Sequence, residues 1–486
     1  MSYTDVLLFL AAGLVFASIL FSKISSRLGV PSLIMFLAVG MLAGPEGIGH
    51  ISFDDPTVIQ ALGVLALINI LFSGGIESKW SDLRPVLVPG LLLATIGLCI
   101  NAILIAIAMH FIFALDWLEG LLFGSIIGCT DAAAVFAVLR TKNLSLSNGL
   151  VPMAEFESAA NDPMAVFLTV MLIALIQSPH EAAVAFVPAF LLQMSIGAAV
   201  GFIMGRLIPA IINSLNLDQE GLYPPLTMAL SVLTYAIAAF LHGSGYLAAY
   251  LAGVVMNGRR FYHKESLIRF HAGLAWLMQI IMFVALGLIL RPSQLIGVLP
   301  KGLIMGALLL FVARPASVML ALVFSKLSIR EKLMASWLGL RGAVPIILGT
   351  FTLYSGVPAA HLIADLIFFV VLLSVTLQGT TLETVARWLK VGSRRSKAEQ
   401  DATIGTVLTT ESVLTEVIVP SGSEIVGRSV MSLGFDSNSR VMLIYRDDAT
   451  LVPSGRTKIM NGDVIVVLAP AIAFPKSLAA LSHQGQ

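Results

Sequence analysis

Thirteen apolar runs occupy the chain as far as about Glu383, and they restrict its fold more than any other feature. They lie near residues 4–22, 30–49, 57–75, 86–114, 117–139, 151–177, 183–212, 222–241, 244–257, 270–290, 299–325, 332–353 and 360–384. About 20 apolar residues are needed for an α-helix to cross the hydrocarbon of a bilayer. Since 57% of the residues are hydrophobic and only 12% are charged, a soluble globular protein is excluded. We predict an all-α polytopic membrane protein with 13 transmembrane helices.

The charges between these runs predict the orientation of the chain. Basic residues follow the odd-numbered runs: Lys23, Arg27, Lys79, Arg84, Arg140, Lys142, Arg206, Arg259, Arg260, Lys264, Arg269, Lys326, Arg330 and Lys332. The opposite loops carry Glu46, Asp54, Asp55, Asp116, Glu119 and Glu181, with Arg291 and Lys301 as exceptions. By the positive-inside rule, we expect a multi-pass protein of the cell (inner) membrane with its N-terminus outside and its C-terminus in the cytoplasm.

The sixth run contains a polar stretch, residues 155–163, which reads Glu-Phe-Glu-Ser-Ala-Ala-Asn-Asp-Pro. Helical spacing places Glu157 and Asn161 on one face and Ser158 and Asp162 on the neighbouring face. Pro163 has no N–H to donate to the carbonyl of residue 159, which leaves that oxygen free. A hydroxyl, a carboxylate and a free carbonyl are ligands that an alkali cation accepts. The alternative is a polar face that only packs against other helices.

The fifth and twelfth runs each carry residues that interrupt a helix. In the fifth run, Thr130 and Asp131 follow two glycines. In the twelfth run, Arg341 lies between two glycines, and Pro345 has no N–H to pair with the carbonyl of Arg341, which is therefore free. The two runs are seven apart, and an odd offset gives them opposite orientations. This arrangement predicts inverted repeats with paired broken helices, which indicate the substrate site of a transporter. The alternative is two kinks without a function.

An arginine at membrane depth needs a partner, because it cannot lose its proton. We expect Glu157 and Arg341 to form a structural ion pair between the sixth and twelfth helices. Arg314, in the eleventh run, poses the same problem, and the sequence identifies no partner for it.

Three motifs taken together resemble the NhaP-type members of the cation/proton antiporter superfamily: Thr130-Asp131, Glu157-Ser158 leading to Asn161-Asp162, and Leu340-Arg341-Gly342. The resemblance covers about residues 1 to 385. It implies a homodimer with 13 spans in each protomer, and a six-helix core in which helices 5 and 12 are unwound and cross.

The same resemblance implies roles for individual residues. Asp162 resembles the residue that binds cation and proton alternately, and Thr130, Asp131 and Ser158 resemble accessory cation ligands. Asn161 is included in the same predicted cation and proton site. The resemblance also supports the Glu157 and Arg341 ion pair. Some relatives carry an acid near the cytoplasmic entrance where this chain has Ser73. The role of that acid is therefore not assigned to any residue of this chain.

The resemblance predicts a secondary active antiporter that exchanges cytoplasmic K⁺ or Na⁺ for external H⁺ in cation and pH homeostasis. Burial disfavours a bare carboxylate, whereas a proton or a cation neutralises it, so the two compete for one site. Asn161 before Asp162 resembles the electroneutral branch of the family. A cation channel with a cytosolic gating domain is the alternative, although the chain has no TVGYG-like filter. The sequence leaves the choice between K⁺ and Na⁺ open.

Beyond the spans, the composition changes. We expect a transmembrane domain over residues 1–390, a polar linker over residues 391–410 and a cytoplasmic α+β domain over residues 411–486. Strands are predicted at 413–420, 440–447 and 463–469, with a short helix at 424–433. This part resembles the RCK C-terminal, or TrkA-C, module, which implies regulation by a small molecule or an ion. A passive assembly domain is the alternative.

Other functional classes lack a signal. No nucleophile triad, acid pair in a soluble cleft or basic nucleic-acid patch is present, so we expect neither an enzyme nor a partner among nucleic acid polymers. The histidines are too dispersed for a metal site, and both cysteines lie in apolar runs. We expect no cofactor, and no metal beyond the transported monovalent cation.

Overall fold

The computed structural model describes most of the chain. It covers residues 3–28, 31–51, 56–141, 144–146, 149–215, 217–342, 344–394, 412–419, 423, 425–433, 440–446 and 449–470. The chain divides into two units, Met1–Ser393 and Arg394–Gln486. Most of the predicted linker, residues 395–410, lies outside the described residues.

The first unit is built from α-helices. Their bounds are α1 Tyr3–Leu28, α2 Ser32–Ala43, α3 Pro56–Glu77, α4 Trp80–Leu83, α5 Leu87–Leu92, α6 Leu98–Phe113, α7 Trp117–Gly128, α8 Ala132–Thr141, α9 Leu150–Gln177, α10 Pro179–Leu215, α11 Tyr223–Phe240, α12 Gly245–Asn257, α13 Lys264–Ile289, α14 Pro292–Leu308, α15 Arg314–Ala321, α16 Ile329–Leu338, α17 Val344–Tyr354 and α18 Ala360–Trp388. Two short strands, β1 (Leu144–Leu146) and β2 (Gly392–Arg394), form a two-stranded sheet.

Length and composition separate these helices into two groups. Among the described residues, eight helical stretches are long and apolar enough to cross a membrane. Five shorter apolar stretches have 10 to 17 residues, at 32–43, 117–128, 245–257, 344–353 and 8–23, the last of which lies within the 26-residue helix α1. At 1.5 Å per residue, a helix of 12 residues is about 18 Å long, which is less than a bilayer needs. The chain is therefore a mostly helical polytopic membrane protein, and the number of 13 spans stays a prediction.

Two pairs of irregularities follow the same offset along the chain. The helix of the fifth run is interrupted between α7 and α8, and that of the twelfth run between α16 and α17. The fourth and eleventh runs each contain a π-helical turn, at Leu93–Gly97 and Leu309–Ala313. In each pair, the two irregularities lie seven runs apart. Such turns bend a helix locally and occur frequently at functional sites.

Glycines allow the helices around the site to approach closely. A Cβ atom on Gly75 would overlap the carbonyl oxygen of Tyr250 on α12, and one on Gly253 would lie 2.6 Å from the carbonyl oxygen of Phe72. Helices α3 and α12 therefore touch backbone to backbone, as small residues permit in membrane proteins. The polar side chains of α3 and α12 are brought next to α9 by this packing.

The second unit contains a four-stranded antiparallel sheet in the order β3-β6-β4-β5. Its strands are β3 Ser412–Ile418, β4 Arg440–Arg446, β5 Ala449–Leu451 and β6 Val464–Pro470. The predicted helix at 424–433 is wrong in its described part, which has only a 3₁₀ turn, Val430–Leu433. Gly427 has a φ of 83°, which is incompatible with a continuous right-handed helix.

An ion pair crosses this small sheet. Arg446 donates two hydrogen bonds of 2.8 Å to the carboxylate of Asp463, which also accepts from the N–H of Met460. These donors stabilise the ionised carboxylate, so the pKa of Asp463 lies below its ordinary value of 3.8. The arrangement anchors the end of β4 to the start of β6.

Candidate functional site

The two helix interruptions meet each other through their main chains. Asp131, between α7 and α8, donates its N–H to the carbonyl of Leu340, between α16 and α17, over 2.7 Å. A Cβ atom on Gly342 would collide with the side chain of Asp131. Only glycine therefore fits at position 342 in this arrangement. The structure brings together the two stretches that the sequence predicted to be broken.

Polar side chains of α9 hold the first interruption in place. Ser158 donates to the carbonyl of Thr130 over 2.9 Å and accepts from the N–H of Ala132 over 3.0 Å. Asn161 donates to the hydroxyl of Thr130 over 2.8 Å. These bonds satisfy backbone groups that a regular helix would pair internally, and unpaired groups are costly inside a membrane. Three predicted cation ligands are thus engaged in positioning the non-helical segment.

Asp131 has a positioning role of its own. Its Oδ1 accepts a hydrogen bond of 3.1 Å from the N–H of Ala134. A carboxylate in this position caps the start of α8 and compensates the positive end of the helix dipole. Asp131 also lines the cavity described below. It therefore lies at the site, with one of its oxygens already engaged.

Asp162 is the acid with the fewest protein partners at the site. Its side chain is 5% exposed, and its Oδ1 accepts from the thiol of Cys129 over 2.6 Å. Pro163 follows it within α9, so the carbonyl of Ala159 lacks the N–H that would normally pair with it. One cavity is lined by all four of Asp162, Ala159, Ser158 and Asp131. The other oxygen of Asp162 has no hydrogen bond to the described part of the chain.

The cavity lies between α3, α8, α9, α12 and α13 and has a volume of about 140 Å³. It is lined by Ile70, Leu71, Ser73, Gly74, Glu77, Asp131, Ala132, Phe136, Glu155, Ser158, Ala159, Asp162, Tyr250, Ala272, Ala275, Trp276 and Gln279. One water molecule occupies roughly 30 Å³ in the liquid. The cavity is therefore large enough for a cation with several waters, and too small for an organic substrate of drug size.

The predicted ion pair is wrong in one of its members. Glu157 pairs with Arg314, whose Nη2 lies 2.6 Å from Glu157 Oε1, and not with Arg341. The contact is an ion pair without the alignment of a hydrogen bond. Arg314 can reach because it passes over Gly339, where a Cβ atom would lie 2.7 Å from its Nε. This pairing also supplies the partner that the sequence did not identify for Arg314.

Arg341 is occupied elsewhere, which is the physical reason for this correction. Its Nη1 donates to the carbonyls of Gly128 over 2.5 Å and Cys129 over 2.8 Å. These carbonyls are at the C-terminal end of α7, where the helix dipole favours a positive charge. Ser374 on α18 accepts the backbone N–H of Arg341 over 3.1 Å. Arg341 thus connects the second interruption to the end of the helix before the first.

Sequence reasoning missed two features of the site. Cys129, interpreted only as an apolar residue, contacts the carboxylate of Asp162; its position directly before Thr130 was the available signal. Glu155 and Tyr250 line the same cavity, and nothing in the spacing of the sequence connects them. Glu155 precedes Asp162 by seven residues on α9, and this spacing was the available signal for it. Tyr250 was missed because the cavity joins helices that are far apart along the chain.

Known proteins resemble this chain over both units. The family model described as "Sodium/hydrogen exchanger, transmembrane" matches residues 13–388, and the one described as "TrkA-C domain" matches residues 414–471. A protein named K(+)/H(+) antiporter NhaP2, from Shewanella sp. (strain ANA-3), is 39% identical over 96% of this chain and 81% of its own length.

Two further comparisons cover 77% and 80% of the chain. The K(+)/H(+) antiporter NhaP from Alkalimonas amylolytica is 40% identical over 77% of this chain, and the match spans 65% of that protein. The solved structure of the sodium proton antiporter MjNhaP1 from Methanocaldococcus jannaschii shares the fold, with a TM-score of 0.68 and 24% identity over 80% of this chain and 99% of that one. The exchanger match covers well over half of the sequence. The chain therefore belongs to the sodium/hydrogen exchanger family of membrane proteins and carries a TrkA-C domain.

Proposed function

We propose that this protein is a secondary active antiporter that exchanges cytoplasmic K⁺ or Na⁺ for external H⁺, one for one, at Asp162. The observation that carries the proposal is the carboxylate of Asp162, buried beside two helix interruptions and open to a cavity of about 140 Å³. A buried acid without a cationic partner must be neutralised by something else. A proton and a monovalent cation both do so, and one carboxylate binds them in turn.

The surrounding residues support alternate binding rather than a permanent metal site. Thr130, Ser158 and Asn161 bond one another, and Asp131 caps α8, so Asp162 is left as the acid that can change its ligand. Apart from the Cys129 thiol, the ligand atoms that these neighbours offer are oxygens, which suit hard alkali cations. Exchange requires that the neutral, loaded site changes sides and that the bare charge does not.

The named relatives favour potassium. The relatives from Shewanella and Alkalimonas are named K(+)/H(+) antiporters, and the TrkA-C match at residues 414–471 supports a regulatory role for the cytoplasmic domain. We propose K⁺ as the main substrate, with a small molecule or an ion as regulator of the second unit. Such a protein would serve cation and pH homeostasis.

The proposed architecture has 13 spans, inverted repeats and a homodimer in the cell (inner) membrane, with the C-terminus in the cytoplasm. Five shorter apolar stretches, together with eight long helices, agree with that number if some spans are made of broken or tilted helices. The two interruptions and the two π turns are each seven runs apart, as inverted repeats of six around one linking span require. Domain limits at 390 and 410 belong to the same proposal.

Proteoliposomes test the function. With a trapped pH dye and a preset pH gradient, addition of K⁺, Na⁺, Li⁺ or Rb⁺ salts should collapse the gradient without a membrane potential. We expect Asp162→Asn to abolish exchange while the protein stays monodisperse. Asp365→Asn removes a half-buried acid of α18 that does not line the cavity, and it should retain exchange. Cation flux that follows voltage would instead indicate a channel, and normal exchange by Asp162→Asn would refute the role of Asp162.

A further inference from the structure

Another acid, Glu155, lines the same cavity and takes no part in the site described above. Glu155 is half-buried on α9. Among the residues that the structure describes, no lysine, arginine or histidine lies within 4 Å of its carboxylate. An acid in a membrane-spanning helix usually pairs or serves a function. Glu155 therefore requires an explanation other than an ion pair.

Helix geometry places Glu155 too far from Asp162 to share one bound ion with it. Residues 155, 158 and 162 follow the spacing i, i+3, i+7, so they lie along one stripe of α9. Seven residues at 1.5 Å each separate Glu155 from Asp162 by about 10 Å along the helix axis. Ligands of one cation lie within roughly 3 Å of it. A cation held by Glu155 is therefore distinct from one held by Asp162.

A buried hydroxyl without a partner lies in this part of the cavity. Tyr250 on α12 is 2% exposed and lines the cavity near Glu155 and Ser78. Its hydroxyl oxygen has no well-aligned hydrogen bond in the part of the chain that the structure describes, and the Ser78 hydroxyl beside it is already engaged with Glu155 and Gly74. Leaving such a group unpaired inside a protein is energetically costly. A bound ligand in the cavity would remove this cost. A hydroxyl oxygen can coordinate an alkali cation.

The hydrogen bonds around Glu155 leave it unsatisfied as well. The Ser78 hydroxyl contacts Glu155 Oε1 and also lies 2.7 Å from the carbonyl of Gly74. A hydroxyl has one hydrogen, so it donates to only one of the two acceptors at a time. The charges that act on Glu155 from neighbouring elements are Glu77 and Asp82, both negative. Glu77 lines the cavity and is exposed, so the end of the cavity at Glu77 is its mouth. This mouth is negatively charged and holds a carboxylate, Glu155, that lacks a full set of donors.

We propose that Glu155 and the hydroxyl of Tyr250 form a second binding site for a monovalent alkali cation at the mouth of the cavity, about two helical turns from Asp162. The negative charges of Glu77 and Asp82 raise the local cation concentration there. The site loads a cation before it moves to Asp162. This transport step rests on the proposed function, whereas cation binding at Glu155 does not.

Direct binding separates the two proposals. Purified full-length protein is titrated with radioactive Rb⁺ in a scintillation proximity assay, in the Asp162→Asn background. We expect saturable Rb⁺ binding to persist in Asp162→Asn, because Glu155 is intact, and to weaken about tenfold or more when Glu155→Gln is added. Tyr250→Phe should weaken it to a smaller extent. Binding that is absent from Asp162→Asn, or that Glu155→Gln leaves unchanged, would overturn the second site.

A control variant separates binding from a purely structural role of Glu155. Ser78→Ala removes the hydrogen bond to Glu155 but keeps the carboxylate and the tyrosine, so Rb⁺ binding to Asp162→Asn/Ser78→Ala should be retained. Loss of binding in that variant, with the protein still monodisperse, would assign Glu155 to the packing of α3 against α9. This assay does not depend on exchange, so it stays informative even if the wild-type protein exchanges no cations.

Kinetics test the loading step in the otherwise unchanged protein. Glu155→Gln should raise the KM for K⁺ about tenfold and retain the maximal rate at saturating K⁺, because Asp162 still carries out the exchange. Glu77→Gln, which removes an exposed charge at the same mouth, should have a smaller effect that disappears at high salt. A lower maximal rate with an unchanged KM would show that Glu155 does not load the cation.

Discussion

Breaking the ion pair between Glu157 and Arg314 should strongly destabilise the membrane unit around the site. Two unit charges 2.6 Å apart attract by about 6 kcal/mol at an effective dielectric constant of about 20. Desolvation of both groups offsets much of this attraction, so the pair adds little in net terms. Removing one member leaves an uncompensated buried charge, and Glu157→Gln or Arg314→Met should each destabilise the protein by about 3–5 kcal/mol.

A double-mutant cycle distinguishes the pair in the structure from the pair that the sequence suggested. We expect a coupling energy of about 2–3 kcal/mol between Glu157 and Arg314, and below about 1 kcal/mol between Glu157 and Arg341. Unfolding by SDS in mixed micelles, followed by tryptophan fluorescence, measures both cycles. Arg387→Met is a matched control. It breaks a 3.7 Å pair with Glu383 in which the arginine is 59% exposed, and it should change stability by less than about 0.5 kcal/mol. Stronger coupling of Glu157 to Arg341 than to Arg314 would refute the assignment.

Two further predictions concern the second interruption and the small sheet. Gly342→Ala should abolish most exchange, because its Cβ would displace the side chain of Asp131; wild-type exchange rates in proteoliposomes would contradict this packing. Asp463→Asn should loosen β6 at pH 7. The folded pKa of Asp463 is lowered, so its stabilisation is present above the unfolded value of about 3.8 and is lost as the pH falls through the lower folded value. Hydrogen exchange of β6 peptides in the full-length protein should therefore differ between wild type and variant at pH 7 and converge in acid, and an equal difference at all pH values would exclude this linkage.

Local sequence rules predicted the elements of the site whose cause is local. Pro163 and the spacing of Ser158 and Asp162 follow from one helix, and the structure places both side chains in the cavity. The position of the first break also follows from local residues, since Thr130 and Asp131 lie between α7 and α8. These inferences needed only helical periodicity and the missing N–H of proline.

The features that the sequence could not predict depend on how distant helices pack. Two arginines were available to Glu157, and the choice of Arg314 depends on its path over Gly339, which is a tertiary contact. Cys129 contacts Asp162 because the chain is extended at Cys129. Charge and spacing along one sequence do not encode such distances. Further spectroscopic or mutational work on the site should therefore start from the contacts rather than from the motifs.

The bond between Asp131 N–H and the carbonyl of Leu340 joins the two helix interruptions of the membrane unit by main-chain atoms alone. Substitution of the side chain at position 131 or 340 leaves this bond in place, unless proline replaces residue 131 and removes the backbone N–H. This main-chain contact can thus survive extensive divergence of the side chains around it. Evolution could alter which ion is carried, and how tightly, while the scaffold that presents the carboxylate stays the same.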